Sequence, residues 1–562
     1  MRVVGISALC VATLLGAGTA SAAGPAYDVV IRNGHIIDGT GSPWYAADVG
    51  IRGGRIVAIG RLDAASAKRT IDAKGRVVAP GFIDMLGQSD LTMLVAPSLP
   101  SKIFQGITTE ITGEGESAAP LNDAIIRNNQ PTYSHFQLTP DWRTFPEYFA
   151  RLRQRGMGIN LGTYVGATSV REMVIGYDNR PATPDELRRM QGLVADAMRA
   201  GTWGLSTALQ YPPAPYASTD ELIALAKTAA EHGGIYATHM RSEGDSEMAA
   251  IDETLRIGRE ANIPVEIFHL KVSGKGNWGK AGDIIGRIEA ARAAGQDVAA
   301  DTYAYTAWAN SMSALVPTWV AEGGNAKLVE RLKDPAQRAK IRKEMLTPST
   351  AWDNEWLAIE GPKDIIVTST ATPDMQPYTG KRISEIAAQW HEDPIDTIFD
   401  VLVKDAGSTQ VAIFGMAEPD VALILKQPWV SINNDAPGTS PEGLLGGEHP
   451  HPRAYGTFPR ILARYVREQK LLTLPDAIRK FSALPAQRMH LTDRGVIKQG
   501  MWADVVVFDP DTIHDLATFD NPNQLSVGMD AVLVNGVPVI EAGKATGALP
   551  GQVLLGPGYS KP

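Results

Sequence analysis

The sequence predicts an α/β protein built on a (β/α)8 TIM-like barrel, with a small β-sandwich domain formed from both termini. Three observations lead to this prediction. Short alternating strands occur near both ends, apolar strands alternate with amphipathic helices in the middle, and eight such middle strands are present. With 562 residues, the chain is long enough for one large domain and one smaller domain.

The two ends of the chain share a strand-and-turn pattern. Alternating runs extend from Tyr27 to about Ile71 and recur after Ala503. They are separated by dipeptides typical of β-hairpin turns, namely Asn33-Gly34, Gly53-Gly54 and Asn535-Gly536. We therefore predict a β-sandwich domain from residues 23–76 and 483–562, with the barrel at residues 77–482.

The middle of the chain supplies the predicted barrel. Helical segments such as Thr183–Ala200 and Thr219–Glu231 alternate with apolar strands. The strands are predicted at Arg76–Leu86, Ile107–Gly113, Asn160–Gly166, Gly204–Leu209, Ile235–Met240, Val265–Lys271, Asp297–Tyr305 and Val430–Asp435. The last gap is too long for one crossover and contains charged helical sequence (Ala326–Met345), so we predict an insertion over the barrel mouth at about 310–425.

The first residues are typical of a secretory signal. Arg2 precedes the apolar run Val3–Leu15, and the small residues Ala20-Ser21-Ala22 follow it, which predicts a signal peptide at 1–22. An uncleaved membrane anchor is the alternative. Cys10, the one cysteine of the chain, lies in this segment. We therefore expect an exported protein, periplasmic or secreted, whose mature chain has no thiolate for catalysis or metal binding.

Charge and hydropathy exclude two classes of partner. The net charge is −9, and the 53 basic residues form no cluster, which argues against a nucleic-acid partner. After the signal, no apolar run is long enough to span a bilayer, so no membrane association is expected once the signal is cleaved. A small-molecule partner is the class that remains.

Polar side chains at the ends of the predicted strands form the candidate site. Glu114 follows the second strand, His239 and His269 lie at the ends of the fifth and sixth, and Asp435 ends the eighth. These ends meet at one face of a barrel. Two imidazoles and a carboxylate can hold a divalent metal ion with one position open, and a further carboxylate can move a proton. An ordinary turn residue is the alternative for Asp435.

Several motifs resemble the N-acyl-D-amino-acid deacylases (D-aminoacylases) of the amidohydrolase superfamily. They are Val78-Ala-Pro-Gly-Phe-Ile-Asp84, Gly106-Ile-Thr-Thr109, Gly204-Leu-Ser-Thr207, Tyr211-Pro-Pro213, Tyr236-Ala-Thr-His-Met-Arg241, Phe268-His-Leu-Lys271, Asp301-Thr-Tyr-Ala-Tyr-Thr306 and His451-Pro-Arg-Ala-Tyr-Gly-Thr-Phe-Pro-Arg460. The likeness covers about residues 27 to 550. It implies a barrel-plus-sandwich fold, zinc, and hydrolysis of an N-acyl amide next to a free carboxylate.

The resemblance also implies a role for individual residues. By motif position, His239 and His269 match the zinc ligands and Asp435 matches the general base. Arg453 matches the residue that binds the substrate carboxylate, for which a guanidinium group is well suited. The positions that line the substrate pocket in the family correspond to Lys271, Tyr211 and Tyr303.

The sequence departs from the family at its other metal positions. Leu86 and Gln88 stand where the family has His-x-His, and Glu114 stands at the position of the family's cysteine ligand. We therefore expect one zinc ion, bound by Glu114, His239 and His269. Three alternatives stay open: Glu116 in place of Glu114, a metal at His449-Pro-His451, and a hydrogen-bonding role for Asp90 at the barrel mouth.

The predicted function is zinc-dependent hydrolysis of an amide bond in an N-acyl-D-amino acid or a related N-acyl amino acid or peptide. Metal-activated water attacks the amide, with Asp435 as general base and acid. A dipeptidase or a cyclic amidase on the same site is one alternative. A binding protein on an inactive barrel is the non-enzymatic alternative.

Overall fold

The computed structural model describes Met1 and residues 26–63 and 66–561. Except for Met1, the predicted signal peptide at 1–22 lies outside these residues. Within the described residues, no helix combines the length and the apolar character that a membrane span requires.

The strands are numbered along the chain. They are β1 (Tyr27–Ile36), β2 (Tyr45–Arg52), β3 (Arg55–Gly60), β4 (Ala67–Asp72), β5 (Val77–Pro80), β6 (Phe82–Asp84), β7 (Ile107–Thr112), β8 (Asn160–Thr163), β9 (Val165–Gly166), β10 (Gly204–Ala208), β11 (Ile235–His239), β12 (Val265–Ile267), β13 (Val298–Thr302), β14 (Ala307–Ser311), β15 (Ile365–Ser369), β16 (Gln410–Phe414), β17 (Val430–Ile432), β18 (Val505–Phe508), β19 (Met529–Val534), β20 (Val537–Glu541) and β21 (Lys544–Ala545).

The α-helices follow the same convention. They are α1 (Thr92–Val95), α2 (Pro100–Ile103), α3 (Asp123–Asn128), α4 (Gln130–His135), α5 (Phe145–Arg155), α6 (Ala167–Val174), α7 (Pro184–Ala200), α8 (Thr219–Glu231), α9 (Glu247–Ala261), α10 (Ala281–Ala293), α11 (Asn325–Lys333), α12 (Pro335–Met345), α13 (Ile383–Trp390), α14 (Pro394–Lys404), α15 (Glu418–Leu425), α16 (Arg453–Arg460), α17 (Leu474–Phe481) and α18 (Ala483–Arg488). A π-helical segment, Ile461–Glu468, continues α16.

Parallel strands form the predicted barrel. Two groups, β6-β7-β8 and β9-β10-β11-β12-β13-β17, pair in these orders. β8 and β9 belong to one barrel strand, because Tyr164 alone separates them. A parallel bridge between Gly87 and Ala436 joins the ends of the first and last strands and closes the ring. The prediction of an eight-stranded barrel is confirmed.

Strands from both ends of the chain form one nine-stranded sheet, in the order β21-β20-β19-β18-β5-β1-β2-β3 with β4 paired to β1. The predicted turns at Gly53-Gly54 and Asn535-Gly536 join adjacent antiparallel strands. The turn predicted at Asn33-Gly34 is wrong. Asn33 is left-handed there, but the chain continues through a bulge and β1 pairs with β2 on both sides of it.

The segment between β13 and β17 contains its own antiparallel sheet, β14-β16-β15, together with α11 to α14. The charged helical sequence predicted at Ala326–Met345 forms two helices, α11 and α12. Pro335 lacks an amide N–H and disfavours helical backbone at Asp334, which is extended (φ −85°, ψ 119°). The Asp334 side chain then accepts backbone hydrogen bonds at the start of α12.

Capping residues define the helices predicted from the barrel pattern. α7 begins after Thr183, whose side chain and that of Glu186 form a reciprocal capping box. α8 begins after Ser218, which accepts the backbone N–H of Glu221. The main apolar core joins the barrel strands and the surrounding helices, and a smaller core lies within the terminal sheet.

Candidate metal centre

Three predicted ligands converge at the carboxyl ends of the barrel strands. Glu114 follows β7, His239 is the last residue of β11, and His269 lies two residues beyond β12. Glu114 Oε1 is 3.1 Å from His239 Nδ1 and 2.9 Å from His269 Nε2, and the two nitrogens are 3.0 Å apart. One donor atom from each residue therefore faces a common point.

Local backbone conformation directs two of the site side chains. The sixth and eighth barrel strands end earlier than predicted, at Ile267 and Ile432, and turns follow them. His269 (φ 36°) and Asp435 (φ 45°) both adopt left-handed backbone in these turns. A non-glycine residue in this region costs about 1–3 kcal/mol. The Asp301 carboxylate, 2.6 Å away, accepts the His269 backbone N–H and so supports that turn.

Neighbouring side chains fix the imidazole orientations. Gln210 Oε1 lies 2.9 Å from His239 Nε2, which leaves Nδ1 as the donor atom that faces Glu114. Glu243 Oε1 lies 2.9 Å and Lys271 Nζ 2.7 Å from His269 Nδ1, and Lys271 Nζ also contacts the other Glu243 oxygen at 2.7 Å. A carboxylate behind a ligating histidine is a frequent arrangement in metal sites, because it sets the tautomer and increases ligand basicity.

The charges around this point favour a cation. Burial raises the pKa of Glu114, but hydrogen bonds from His239 and His269 hold it well below its usual value, so the ligand is anionic. Burial and Lys271 lower the pKa of His269, yet the neighbouring carboxylates outweigh both and raise it to about 10. A carboxylate and two imidazoles in a field that stabilises positive charge fit a divalent ion such as zinc.

Asp435 lies beside the three ligands and is connected to them through Gln88. Gln88 Nε2 donates to Glu114 Oε2 and to Asp435 Oδ1, both at 2.9 Å. Asp435 Oδ2 is also 2.8 Å from Arg453 Nη1. Burial raises the pKa of Asp435 above its usual value, although the Arg453 charge opposes this shift.

A cavity of about 550 Å³ opens onto the ligands. Of the four residues predicted to bind substrate, Lys271 and Tyr211 are among the described residues that line this cavity. Arg453 and Tyr303 lie behind the lining, with the guanidinium carbon 4.7 Å from the centre of the tyrosine ring. Nε and Nη1 of Arg453 have no hydrogen-bond acceptor among the described residues, so the contact of Nη1 with Asp435 is an ion pair.

The structure separates the alternatives that the sequence left open. Glu114, and not Glu116, groups with the two histidines. Both ring nitrogens of His451 are engaged, since Nδ1 accepts the Arg453 backbone N–H and Nε2 lies 3.1 Å from the Ala307 carbonyl. Asp90 lines the cavity, where burial raises its pKa to about 7.

Sequence reasoning missed two residues that contact the ligands. Glu243 follows His239 by four positions, and Gln210 precedes Tyr211 in the motif already noted. Both lie just beyond strand ends, so the strand-end criterion that identified the histidines also covers them. Their residue types alone do not show whether a glutamate or a glutamine contacts a metal ligand or lies on the surface.

Comparison with known proteins agrees with this geometry. The model of the amidohydrolase family matches residues 69–540. D-aminoacylase from Alcaligenes xylosoxydans xylosoxydans is 36% identical over 94% of this chain and 97% of its own length. The chain belongs to the amidohydrolase family. This amidohydrolase is therefore an enzyme of amide-bond hydrolysis.

Two solved structures are similar to this amidohydrolase over nearly their whole length. One is D-aminoacylase with a binuclear metal centre (36% identity, TM-score 0.78), covering 94% of this chain and 100% of that one. The other is N-acyl-D-glutamate deacylase from Bordetella bronchiseptica complexed with zinc and a phosphonate inhibitor (35% identity, TM-score 0.78), covering 94% and 99%.

Proposed function

We propose that this amidohydrolase is an exported deacylase that removes the acyl group from N-acyl-D-amino acids with one zinc ion. The convergence of Glu114, His239 and His269 beside Asp435 carries the proposal. The similar proteins, a D-aminoacylase and an N-acyl-D-glutamate deacylase, support the substrate class.

The donor set favours one metal ion. Glu114, His239 and His269 would hold it through one atom each. Bound there, zinc supplies Lewis-acid activation of water and of the substrate carbonyl group. At the positions of the family's other histidines, Leu86 is apolar and fully buried, and Gln88 directs its amide N–H groups at two carboxylates. Neither side chain presents a strong donor to a second ion.

Asp435 moves the proton. Its raised pKa makes it a stronger base than an ordinary aspartate, which suits proton removal from water and return to the leaving nitrogen. Gln88 and Arg453 hold both of its oxygens and so fix the carboxylate orientation. Lys271 lines the cavity and Arg453 lies directly behind the lining with Tyr303 beside its guanidinium, so together they provide positive charge that attracts the substrate carboxylate.

Metal content and a substrate panel test the proposal together. Purified protein should contain one zinc per chain, Glu114→Ala should lose it, and Gln88→Ala should retain it. The panel contains N-acetyl-D-methionine, N-acetyl-L-methionine, a dipeptide and a hydantoin, with hydrolysis expected for the first. Preferential hydrolysis of the dipeptide or hydantoin would assign the corresponding alternative activity, and absence of stoichiometric metal would support an inactive binding protein.

Export is the other part of the proposal. It rests on the apolar run after Arg2 and on the small residues that end at Ala22. N-terminal sequencing of protein from the extracytoplasmic fraction should begin at Ala23. Recovery of the chain in the cytoplasm with its first residues intact would contradict export.

A further inference from the structure

The cavity extends from the metal ligands to a lobe made by Glu116, Glu172, Tyr133 and Tyr177, all of which line it. Glu116 lies in the loop after β7, and Glu172 is on α6, which follows the third barrel strand. We call this group the acidic lobe. Nothing in the catalytic arrangement described above uses it.

A tight turn separates the acidic lobe from the metal ligand Glu114. Gly115 has φ +67°, and a Cβ at this position would collide with Ala208. The turn lets Glu114 point at the histidines while Glu116, which is exposed, faces the open cavity. The metal ligands and the acidic lobe therefore line the same cavity.

Glu172 has an unused hydrogen-bonding atom. Its side chain is 7% exposed, and Oε1 has no hydrogen-bond partner among the described residues. The Tyr177 hydroxyl hydrogen-bonds the same carboxyl group and receives a further hydrogen bond from Asn128. A buried carboxylate oxygen without a partner is costly, and a donor on a bound ligand would satisfy it.

The charge of the cavity is unbalanced. Its described lining contains six carboxylates: Asp90, Glu114, Glu116, Glu172, Glu243 and Asp435. Glu243 pairs with Lys271, Asp435 pairs with Arg453 behind the lining, and Glu114 contacts the two histidines. Asp90, Glu116 and Glu172 are therefore the lining carboxyl groups that form no ion pair among the described residues. Burial and the nearby Glu116 charge raise the pKa of Glu172 to about 8, as expected for two carboxyl groups that lack a counter-charge.

The tyrosines of the lobe stay neutral. Burial, Glu116 and Glu172 raise the pKa of Tyr133 to about 12, and Tyr177 is shifted upward by burial and the same two charges. Neutral aromatic rings beside carboxylates form a favourable environment for an ammonium or guanidinium group. An acidic substrate side chain would meet like charges there.

We propose that the acidic lobe binds a cationic group of the substrate, so that this enzyme prefers N-acyl-D-amino acids bearing an ammonium or guanidinium group. The inference rests on the proposed deacylase function. The cation can be carried by the amino-acid side chain or by the acyl group, because both flank the scissile amide. The preference differs from that of a relative that acts on N-acyl-D-glutamate.

Paired substrates that differ in charge test the proposal. N-acetyl-D-lysine and N-acetyl-D-arginine are compared with N-acetyl-D-norleucine and N-acetyl-D-glutamate for the side chain. N-(6-aminohexanoyl)-D-norleucine is compared with N-hexanoyl-D-norleucine for the acyl group. In at least one arm, kcat/KM for the cationic member should exceed that of its neutral partner by roughly tenfold or more, the range expected for a hydrogen bond to a charged group.

Two variants assign the preference to the lobe. Glu172→Gln keeps the size of the side chain and removes the carboxyl group that ionises beside a bound cation, so it should reduce the cationic-to-neutral ratio by roughly tenfold. Glu289→Gln, on the exposed face of α10, makes the same change away from the cavity and should leave the ratio unchanged. A ratio near one in both arms, or a preference that survives Glu172→Gln, overturns the proposal.

Binding measurements separate this inference from the proposed function. If N-acetyl-D-norleucine is hydrolysed but cationic substrates are not preferred over neutral ones, the deacylase function stands and the proposed role of the acidic lobe is wrong. If no N-acyl-D-amino acid is hydrolysed, the deacylase function fails. Cation binding by the acidic lobe can then still be tested by calorimetric titration of the zinc-loaded Asp435→Asn variant with N-acetyl-D-lysine and N-acetyl-D-norleucine. The proposal requires tighter binding of the lysine derivative.

Discussion

Gln88 gives the prediction whose magnitude follows most directly from the structure. Its side-chain nitrogen donates one hydrogen to Glu114 and the other to Asp435, each at 2.9 Å. The orientation of the amide is determined, because its oxygen would be repelled by both carboxylates. Gln88 thus holds a metal ligand and the proton-transfer group in a fixed relation.

Gln88→Met removes both donors and nearly keeps the side-chain length. A hydrogen bond to a charged acceptor contributes about 1.5–3 kcal/mol. The variant loses the hydrogen bonds to Glu114 and to Asp435. We count only one of them, of this strength, as lost stabilisation of the transition state. With about 1.4 kcal/mol for each factor of ten, kcat/KM should fall roughly 10- to 150-fold.

The assay measures kcat/KM for N-acetyl-D-methionine and zinc content on the same preparations. Gln389→Met, at an exposed position of α13, is the matched control and should behave like the parent. Zinc content should stay at one per chain while activity falls. Activity within about twofold of the parent, at equal zinc, would refute the reasoning, since two bonds of this kind cannot be lost without effect. Parallel loss of zinc and activity would assign the effect to Glu114 rather than Asp435.

Further predictions concern the residues around this centre. Asp435→Asn should keep zinc and lower turnover by roughly 100- to 10,000-fold, and full activity would exclude proton transfer by Asp435. Glu243→Gln should weaken zinc binding roughly 10- to 100-fold in a chelator competition, whereas unchanged affinity would make it a bystander. Lys102→Met should lower the unfolding free energy by about 3–5 kcal/mol in a urea titration, because it leaves Asp84 and Glu110 buried without their cation; an unchanged midpoint would show that they are neutral. Zinc removal should lower the melting temperature, and added zinc should restore it, in a thermal-shift assay; no change would mean that the metal does not bind the folded state preferentially.

The barrel could be predicted because its signals are local. Each apolar strand and each capped helix is specified within a few residues, as Thr183 and Ser218 illustrate. The charged helical sequence at Ala326–Met345 is equally local, and Pro335 divides it into two helices because proline disfavours a helical residue before it and suits the first turn of the next helix. The turn at Asn33-Gly34 was overpredicted, because the dipeptide indicates left-handed backbone but not whether the chain reverses.

The site was predictable where it depends on strand ends and not where it depends on contacts across the barrel. His239 and His269 can be identified because they lie at the ends of apolar strands. Glu114 can be identified because it stands where the resembled family has a cysteine ligand. Gln88 and Asp435 are 347 positions apart in the sequence, and their hydrogen bond depends on closure of the barrel. Glu172 lies on α6, and nothing in the sequence shows whether a carboxylate at such a position faces a cavity or the solvent.

The departures from the family pattern at Leu86, Gln88 and Glu114 fit together when the charges of the site are considered. By the resemblance, Glu114 replaces an anionic cysteine ligand, so the ligand charge is preserved. In the proposed centre, Leu86 and Gln88 offer no strong donor for a second cation. Without that cation the two carboxylates face each other, and the amide of Gln88 supplies a hydrogen to each. In the one-metal centre that we propose, Gln88 is therefore a working part of the site, because its amide donates to both carboxylates.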